Sequence, residues 1–263
     1  MKVRVYQGGL KIVEKSGIGK AIHHQIGMLK EEGIEVTAKN EKDVQIVHIN
    51  TVFPDSPITA VLSRHRGQKV VVYAHSTEED FRNSFRFSNA LAPLFKRWIC
   101  FCYNRGDVII TPTPYSGRLL KSYGIRKPIF PLSNGIDTDA FCPSEEAGKK
   151  FREKYGLREN EKVVMSVGHY IARKGIQEFI ELARRMPDVR FFWFGYTSLN
   201  LVPDEIRKAI ESAPDNLTLP GFVNAEELHE AYCGSDLFAF LSHEETEGIV
   251  VLEALASGIP VLV

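Results

Sequence analysis

Short β-branched runs alternate with amphipathic stretches along the chain, and no other feature constrains the fold as strongly. KVRVY (2–6), a helical stretch from Ile18 to Glu32, VQIVHI (44–49), KVVVYA (69–74), DVIITP (107–112) and PIFPL (128–132) make a first series. KVVMSVG (162–168), a helix from Gly175 to Arg185, VRFFWFG (189–195), NLTLPG (216–221), DLFAFL (236–241), a helix from Gly248 to Ser257 and PVLV (260–263) make a second. Strands separated by helical segments imply parallel βαβ units, because a parallel pair needs a crossover and a helix is the usual one. The expected fold is therefore α/β, with two doubly wound parallel sheets. Between the two series lies SNGIDTDAFCPSEE (133–146), whose Asn-Gly, Pro and lack of apolar period read as a linker. This predicts domains over 1–138 and 139–263.

The length of 263 residues suits two ordinary domains, each with its own core. Hydrophobic and charged fractions of 44% and 25% argue against wholesale disorder and against a membrane-embedded body. No apolar run reaches the roughly 20 residues of a spanning helix, and MKVRVYQGG reads as a first strand rather than a secretory signal, so a cytoplasmic protein is expected. Cys100, Cys102, Cys142 and Cys233 lack metal-ligand spacing and read as buried or incidental thiols. A doubly wound sheet would cover the strand Pro260–Val263 with a further helix, so more elements are expected after it. The net charge of zero conceals an asymmetry: residues 1–138 hold about 20 Lys and Arg against about 12 Asp and Glu, roughly +8. On charge alone, nucleic acid and an anionic membrane surface are both candidate partners for this half.

Chemistry concentrates near the end of the second series. The strand DLFAFL runs into Ser242-His243-Glu244-Glu245-Thr246-Glu247-Gly248, and a helix then carries Ile249, Val250 and Glu253. Gly248 permits close backbone approach, and the unpaired N–H groups of a first helical turn make a diphosphate site. Glu253, a turn and a half further on, suits the vicinal hydroxyls of a ribose, and Glu245 suits sugar hydroxyls. Clustered carboxylates would repel a phosphate unless cations arrive from elsewhere, and Arg173-Lys174 after the strand ending at Gly168 supply them.

With Glu-x7-Glu in EETEGIVVLEALASG and the upstream RKG in register, the chain resembles the retaining GT-B glycosyltransferases of family 4, group 1. The resemblance covers nearly the whole chain, including the SNGID linker and GFVNAEELHEAY. It implies two Rossmann-like domains facing a cleft, with Glu253 on ribose, Glu245 on the donor sugar and Arg173 and Lys174 on the diphosphate. Two positions depart from the family pattern: Thr246 stands where a Gly is usual, and His169 where an Arg is frequent.

In the first series, Glu14-Lys15-Ser16-Gly17-Ile18-Gly19-Lys20 is a glycine-rich entry to a helix. Ala21 after Lys20 breaks the phosphate-loop pattern, and Ile22 breaks the dinucleotide fingerprint, which argues against an NAD-linked oxidoreductase. Gly17 is either a close-approach residue, as the family implies, or the start of a helix capped by Ser16. His75 ends the strand KVVVYA at a carboxyl edge and matches a family histidine that contacts the donor sugar. From Phe81 to Arg105, aromatics and leucines interleave with Arg82, Arg86, Lys96, Arg97 and Arg105, beside Trp98. That suits an interfacial helix on anionic lipid, or equally a core-facing helix with a solvated basic face. HSTEEDFRNSF, VHINT and EKSGIGKA are similar to bacterial diacylglycerol glycosyltransferases.

The resulting expectation is transfer of glucose or galactose from a UDP-hexose to diacylglycerol or monohexosyl-diacylglycerol, with retention. The lipid acceptor and an anionic membrane surface are the expected partners, with no nucleic acid, and the protein is placed at the inner face of the cell membrane. No metal is expected to take part: Asp137-Thr138-Asp139 is formally an Asp-x-Asp, but it falls in the linker. A transferase building a polysaccharide or teichoic precursor, and a non-catalytic membrane-binding module, are the competing readings.

Overall fold

The computed structural model describes residues 1–9, 16–84 and 87–263. Its contacts divide the chain into two compact units, 1–81 with 90–135, and 82–89 with 136–263. In the first, β1 (Lys2–Tyr6), β2 (Glu35–Thr37), β3 (Ile46–Ile49), β4 (Lys69–Tyr73), β5 (Val108–Thr111) and β6 (Ile129–Pro131) form a parallel sheet ordered β2-β1-β3-β4-β5-β6. Strand alternation sends one set of side chains to each face. Val3 and Val5 pack with Ile22 of α1 (Gly17–Glu31). Val47, Ile49, Val70, Val72 and Ile109 pack on the other face with Ala60 of α2 (Asp55–His65), Ile99 and Tyr103 of α4 (Ser88–Tyr103) and Leu120 of α5 (Pro114–Ser122). The short α3 (Glu78–Phe81) precedes α4.

The second unit holds β7 (Val163–Val167), β8 (Arg190–Phe194), β9 (Leu217–Gly221), β10 (Leu237–Ala239) and β11 (Val261–Leu262), parallel and ordered β11-β10-β7-β8-β9. Strand β8 shows why the sequence here is aromatic without alternation. Phe191 and Trp193 point to one core, edge-on to Phe179 of α7 (Ile176–Arg185), while Phe192 meets Phe151 and Tyr155 on the other side of the sheet. Both faces are covered, so both side-chain registers are apolar. The remaining helices are α6 (Glu145–Lys154), α8 (Asp204–Glu211), α9 (Ala225–Gly234) and α10 (Ile249–Ala256).

The linker reading needs one correction, because its last two residues, Glu145 and Glu146, open α6. Ser144 is the N-cap, its hydroxyl accepting from the Ala147 amide at 3.2 Å, and acidic residues fill the first turn. The helix then packs on α9 by near-contact of backbones. A Cβ at Gly148 would lie 2.6 Å from the Cys233 carbonyl oxygen, and one at Gly234 would lie 2.9 Å from the Gly148 oxygen. Arg152 secures the same junction, donating to the carbonyls of Gly234 at 2.7 Å and Glu161 at 2.6 Å.

Gly148→Ala should therefore destabilise the protein by ~1–3 kcal/mol through overpacking, although alanine is the better helix former. Urea denaturation of the two proteins checks this, and an unchanged or raised midpoint contradicts the close helix contact.

Candidate active site

Strand order reverses between β7 and β10 in the second unit, since β8 and β9 lie to one side of β7 and β10 and β11 to the other. The segments leaving the carboxyl ends of these two strands diverge there, and such a switch point is where open α/β sheets bind ligands. After β7 the chain makes a single 3-10 turn, Ala172–Lys174, closed by Gly175 at φ 77°. Only glycine fits, because a Cβ would lie 2.3 Å from the Leu241 carbonyl oxygen beyond β10. The two loops are hydrogen-bonded: the His243 amide donates to the Arg173 carbonyl at 2.8 Å, and the Arg173 guanidinium to the Glu244 carbonyl at 2.7 Å.

Glu245 lies between the two cations. Its carboxylate accepts from Lys174 and is 3.6 Å from Arg173, with all three side chains largely buried at 10–17% exposure. The expected grouping of Arg173, Lys174 and Glu245 thus forms within one unit. Gly248, at φ 79°, is the N-cap of α10, and the first-turn amides of Ile249 and Val250 have no acceptor within the helix. Glu253 is buried at 1% exposure, and Tyr232 of α9 donates to its Oε2 at 3.1 Å. Burial and the neighbouring Glu253 charge push the Tyr232 phenol well above its ordinary pKa, so it stays a donor. Tyr232 was not anticipated, since a tyrosine in AEELHEAY reads as an ordinary core position. His169, in place of the frequent arginine, donates from Nδ1 to the Tyr196 carbonyl at 2.9 Å.

In the first unit the order reverses between β1 and β3. The β3 and β4 ends carry Asn50 and His75, joined by a 3.0 Å hydrogen bond, and Asn50 donates to Gln25 of α1 at 2.9 Å. Tyr73 stacks on His75 and packs against His48. Burial pushes both imidazoles down to about 4, so both are neutral at pH 7. Gly17 opens α1, and a Cβ there would meet nothing within 4 Å, so packing does not require glycine. Ser16 is the N-cap residue of α1, as that alternative has it, in an extended conformation and with no side-chain capping hydrogen bond.

The cationic aromatic segment is corrected in part. Trp98 donates its indole N–H to the Val52 carbonyl at 2.7 Å and is half-buried against the core. Lys96 pairs with Glu78 at 3.0 Å and sits 4.3 Å over the Tyr123 ring, so its charge is already matched. Arg82 and Arg97 are exposed, as are Phe87, Leu91, Leu94 and Phe101. Arg86, Glu14 and Lys15 lie outside the described residues. Asp137 of the Asp-x-Asp caps a turn, accepting from the Asp139 and Ala140 amides at 3.0 Å each.

Comparison with known proteins gives the second unit a family. The profile of the glycosyl transferases group 1 matches residues 148–263, and that of glycosyltransferase family 4 matches residues 36–140. The processive diacylglycerol alpha-glucosyltransferase of Acholeplasma laidlawii is 42% identical over 263 residues, covering 100% of this chain and 78% of that protein. The chain belongs to the group 1 glycosyltransferases. Among other members, the alpha-galactosylglucosyldiacylglycerol synthase of Streptococcus pneumoniae is 26% identical over 259 residues, covering 95% of this chain and 69% of that protein. The fold is the GT-B fold of this group. Anabaena HepE, solved in complex with UDP and glucose, shares it at a TM-score of 0.72 and 18% identity, over 99% of this chain and 80% of that one.

The two buried histidines of this glycosyltransferase carry a pH consequence. Their folded pKa of about 4 lies below the unfolded value of 6.5, so the unfolded chain binds more protons between those limits. Stability must then fall as pH drops from 6.5 towards 4, by up to about 3 kcal/mol for each histidine. Urea denaturation across that range tests this, with His48→Asn expected to flatten the acid slope by about half. An equally steep slope in that variant contradicts the assignment.

Proposed function

We propose that this glycosyltransferase moves a hexose, glucose or galactose, from a UDP-sugar to diacylglycerol or monohexosyl-diacylglycerol, with retention at the anomeric carbon. The observation that carries the donor side is the pairing of Arg173 and Lys174 with Glu245 at the β7/β10 switch point, beside the α10 start. A diphosphate entering there competes with Glu245 for the two cations. The carboxylate is then released to accept hydrogen bonds from hexose hydroxyls, while the first-turn amides of Ile249 and Val250 meet phosphate oxygens. Glu253, oriented by Tyr232, receives the ribose hydroxyls. His75 is assigned to the hexose, as the family resemblance implies.

As the bond from anomeric carbon to phosphate oxygen lengthens, negative charge builds on the departing UDP, and Arg173, Lys174 and the helix start stabilise it. The acceptor hydroxyl bonds to the anomeric carbon from the side that UDP leaves, and its proton passes to a phosphate oxygen of the leaving group. These side chains supply the positive charge, so the reading assigns no role to a metal.

The lipid acceptor is supported by the 42% identity over the full chain to a protein named for diacylglycerol glucosylation. It is also supported by the exposed Leu91, Leu94, Arg97 and Phe101 of α4, a helix face that pairs apolar side chains with a cation as an anionic bilayer surface requires. No helix among the described residues is long and apolar enough to cross a membrane. Peripheral attachment at the cytoplasmic face follows from this reading.

The test supplies the protein with UDP-glucose or UDP-galactose and liposomes containing diacylglycerol or glucosyl-diacylglycerol, with the glycolipid product identified by mass spectrometry. Lys174→Ala should lower turnover ~100-fold or more, and activity should survive EDTA. Near-normal turnover in Lys174→Ala would sink the diphosphate assignment, and lipid binding without any transfer would favour a membrane-binding module.

A further inference from the structure

Three uncharged side chains from three elements form a buried chain at the carboxyl edge of the first sheet. Gln25 of α1, Asn50 after β3 and His75 after β4 are 3%, 2% and 8% exposed. His75 Nε2 is 3.0 Å from Asn50 Oδ1, and Asn50 Nδ2 donates to Gln25 Oε1 at 2.9 Å. An amide oxygen can only accept, so the imidazole proton sits on Nε2. The Asn50 orientation that imposes this is held by Gln25, whose Oε1 accepts from Asn50 Nδ2. The imidazole plane is held independently by Tyr73, stacked with ring centroids 6.1 Å apart and planes 20° apart. With the proton on Nε2, Nδ1 carries the lone pair, and it makes no hydrogen bond with any described residue.

We propose that Asn50, backed by Gln25, is a positioning residue that fixes His75 as the Nε2–H tautomer and so presents Nδ1 as a hydrogen-bond acceptor for a hydroxyl of the transferred hexose. The proposal rests on the donor-side reading of His75 given above. It adds a chemical selection, because a neutral nitrogen lone pair binds an O–H and repels a phosphate oxygen. His75 thereby serves the sugar, and the leaving diphosphate is left to Arg173 and Lys174.

Among the described residues, no charged partner opposes this state. Tyr73 of β4 and His48 of β3 are both neutral at pH 7, the phenol raised and the imidazole lowered by burial. From α4, Tyr103 exchanges hydrogen bonds with the Ser76 backbone and is raised by burial, and Glu78 of α3 is ion-paired with Lys96. Gln25 is the α1 contribution and does not titrate.

The experiment reads the tautomer directly, by nitrogen NMR of the histidine-labelled protein, with His75 assigned by its loss in His75→Asn. The expected signal is Nε2–H, neutral through pH 6–8. Asn50→Asp should raise the His75 titration midpoint by about 1–3 pH units. Transfer should then acquire an acid-side loss that the unsubstituted protein lacks, because the imidazolium has no lone pair to offer. Gln25→Leu should leave the midpoint low and reduce kcat/KM about tenfold through a misaligned Asn50. An Nδ1–H signal in the unsubstituted protein overturns the proposal whatever the variants do. So does an unmoved midpoint in Asn50→Asp, or a moved midpoint with transfer unaffected at every pH. Failure of the donor reading shows up separately, as full turnover in Lys174→Ala with the Nε2–H signal intact.

Discussion

Every strand pair described in both sheets is parallel, and most of the structure follows from that constraint. A parallel neighbour can be reached only by carrying the chain back to the same end of the sheet, so helices cover both faces and strands become apolar on both sides. Loops at the carboxyl ends are then the places where side chains meet without being buried beneath a helix. At a reversal of strand order two such loops part, and their backbone amides and side chains face common space. The Arg173 and Glu245 loops occupy that position in the second unit, and the hydrogen bond from His243 to the Arg173 carbonyl holds them together.

The electrostatics there are those of two cations sharing one carboxylate. Two cations beside a sheet end would repel each other, and their largely buried side chains cannot rely on water to screen that repulsion. Glu245 supplies the compensating charge. If a diphosphate displaces this carboxylate, as proposed, sugar recognition becomes conditional on nucleotide recognition. At Glu253, by contrast, one partner is the Tyr232 phenol, a neutral donor that orients the carboxylate.

Legibility in the sequence followed the range of the interaction. The strands could be read because β-branched and aromatic residues record burial locally, as in RFFWF of β8. The Arg-Lys-Gly turn and the two glutamates could be read because their spacing is local within each loop. Helix α6 could not, since its polar sequence is held by an N-cap and by glycine contacts to a helix some 80 residues later, which leave no periodic trace. The setting of Trp98 stayed open because composition shows only an amphipathic aromatic, while its N–H is bound by a carbonyl 46 residues away.

Gln25, Asn50 and Tyr232 belong to the same illegible class, and they differ from the anticipated residues in function as well as in range. Arg173, Lys174, Glu245 and His75 carry the charge or lone pair that a ligand would meet. Gln25 and Asn50 carry none, yet they determine which nitrogen of His75 holds its proton. A buried amide is suited to that work because it presents a donor and an acceptor in fixed relation, so a single orientation propagates along the chain from Gln25 through Asn50 to His75. An ionisable residue in the place of Asn50 would hold the imidazole equally well in space but would change its charge. Such residues are recognisable only when the fold brings the ends of β3, β4 and the middle of α1 together, after which their chemistry follows from burial and hydrogen-bond direction.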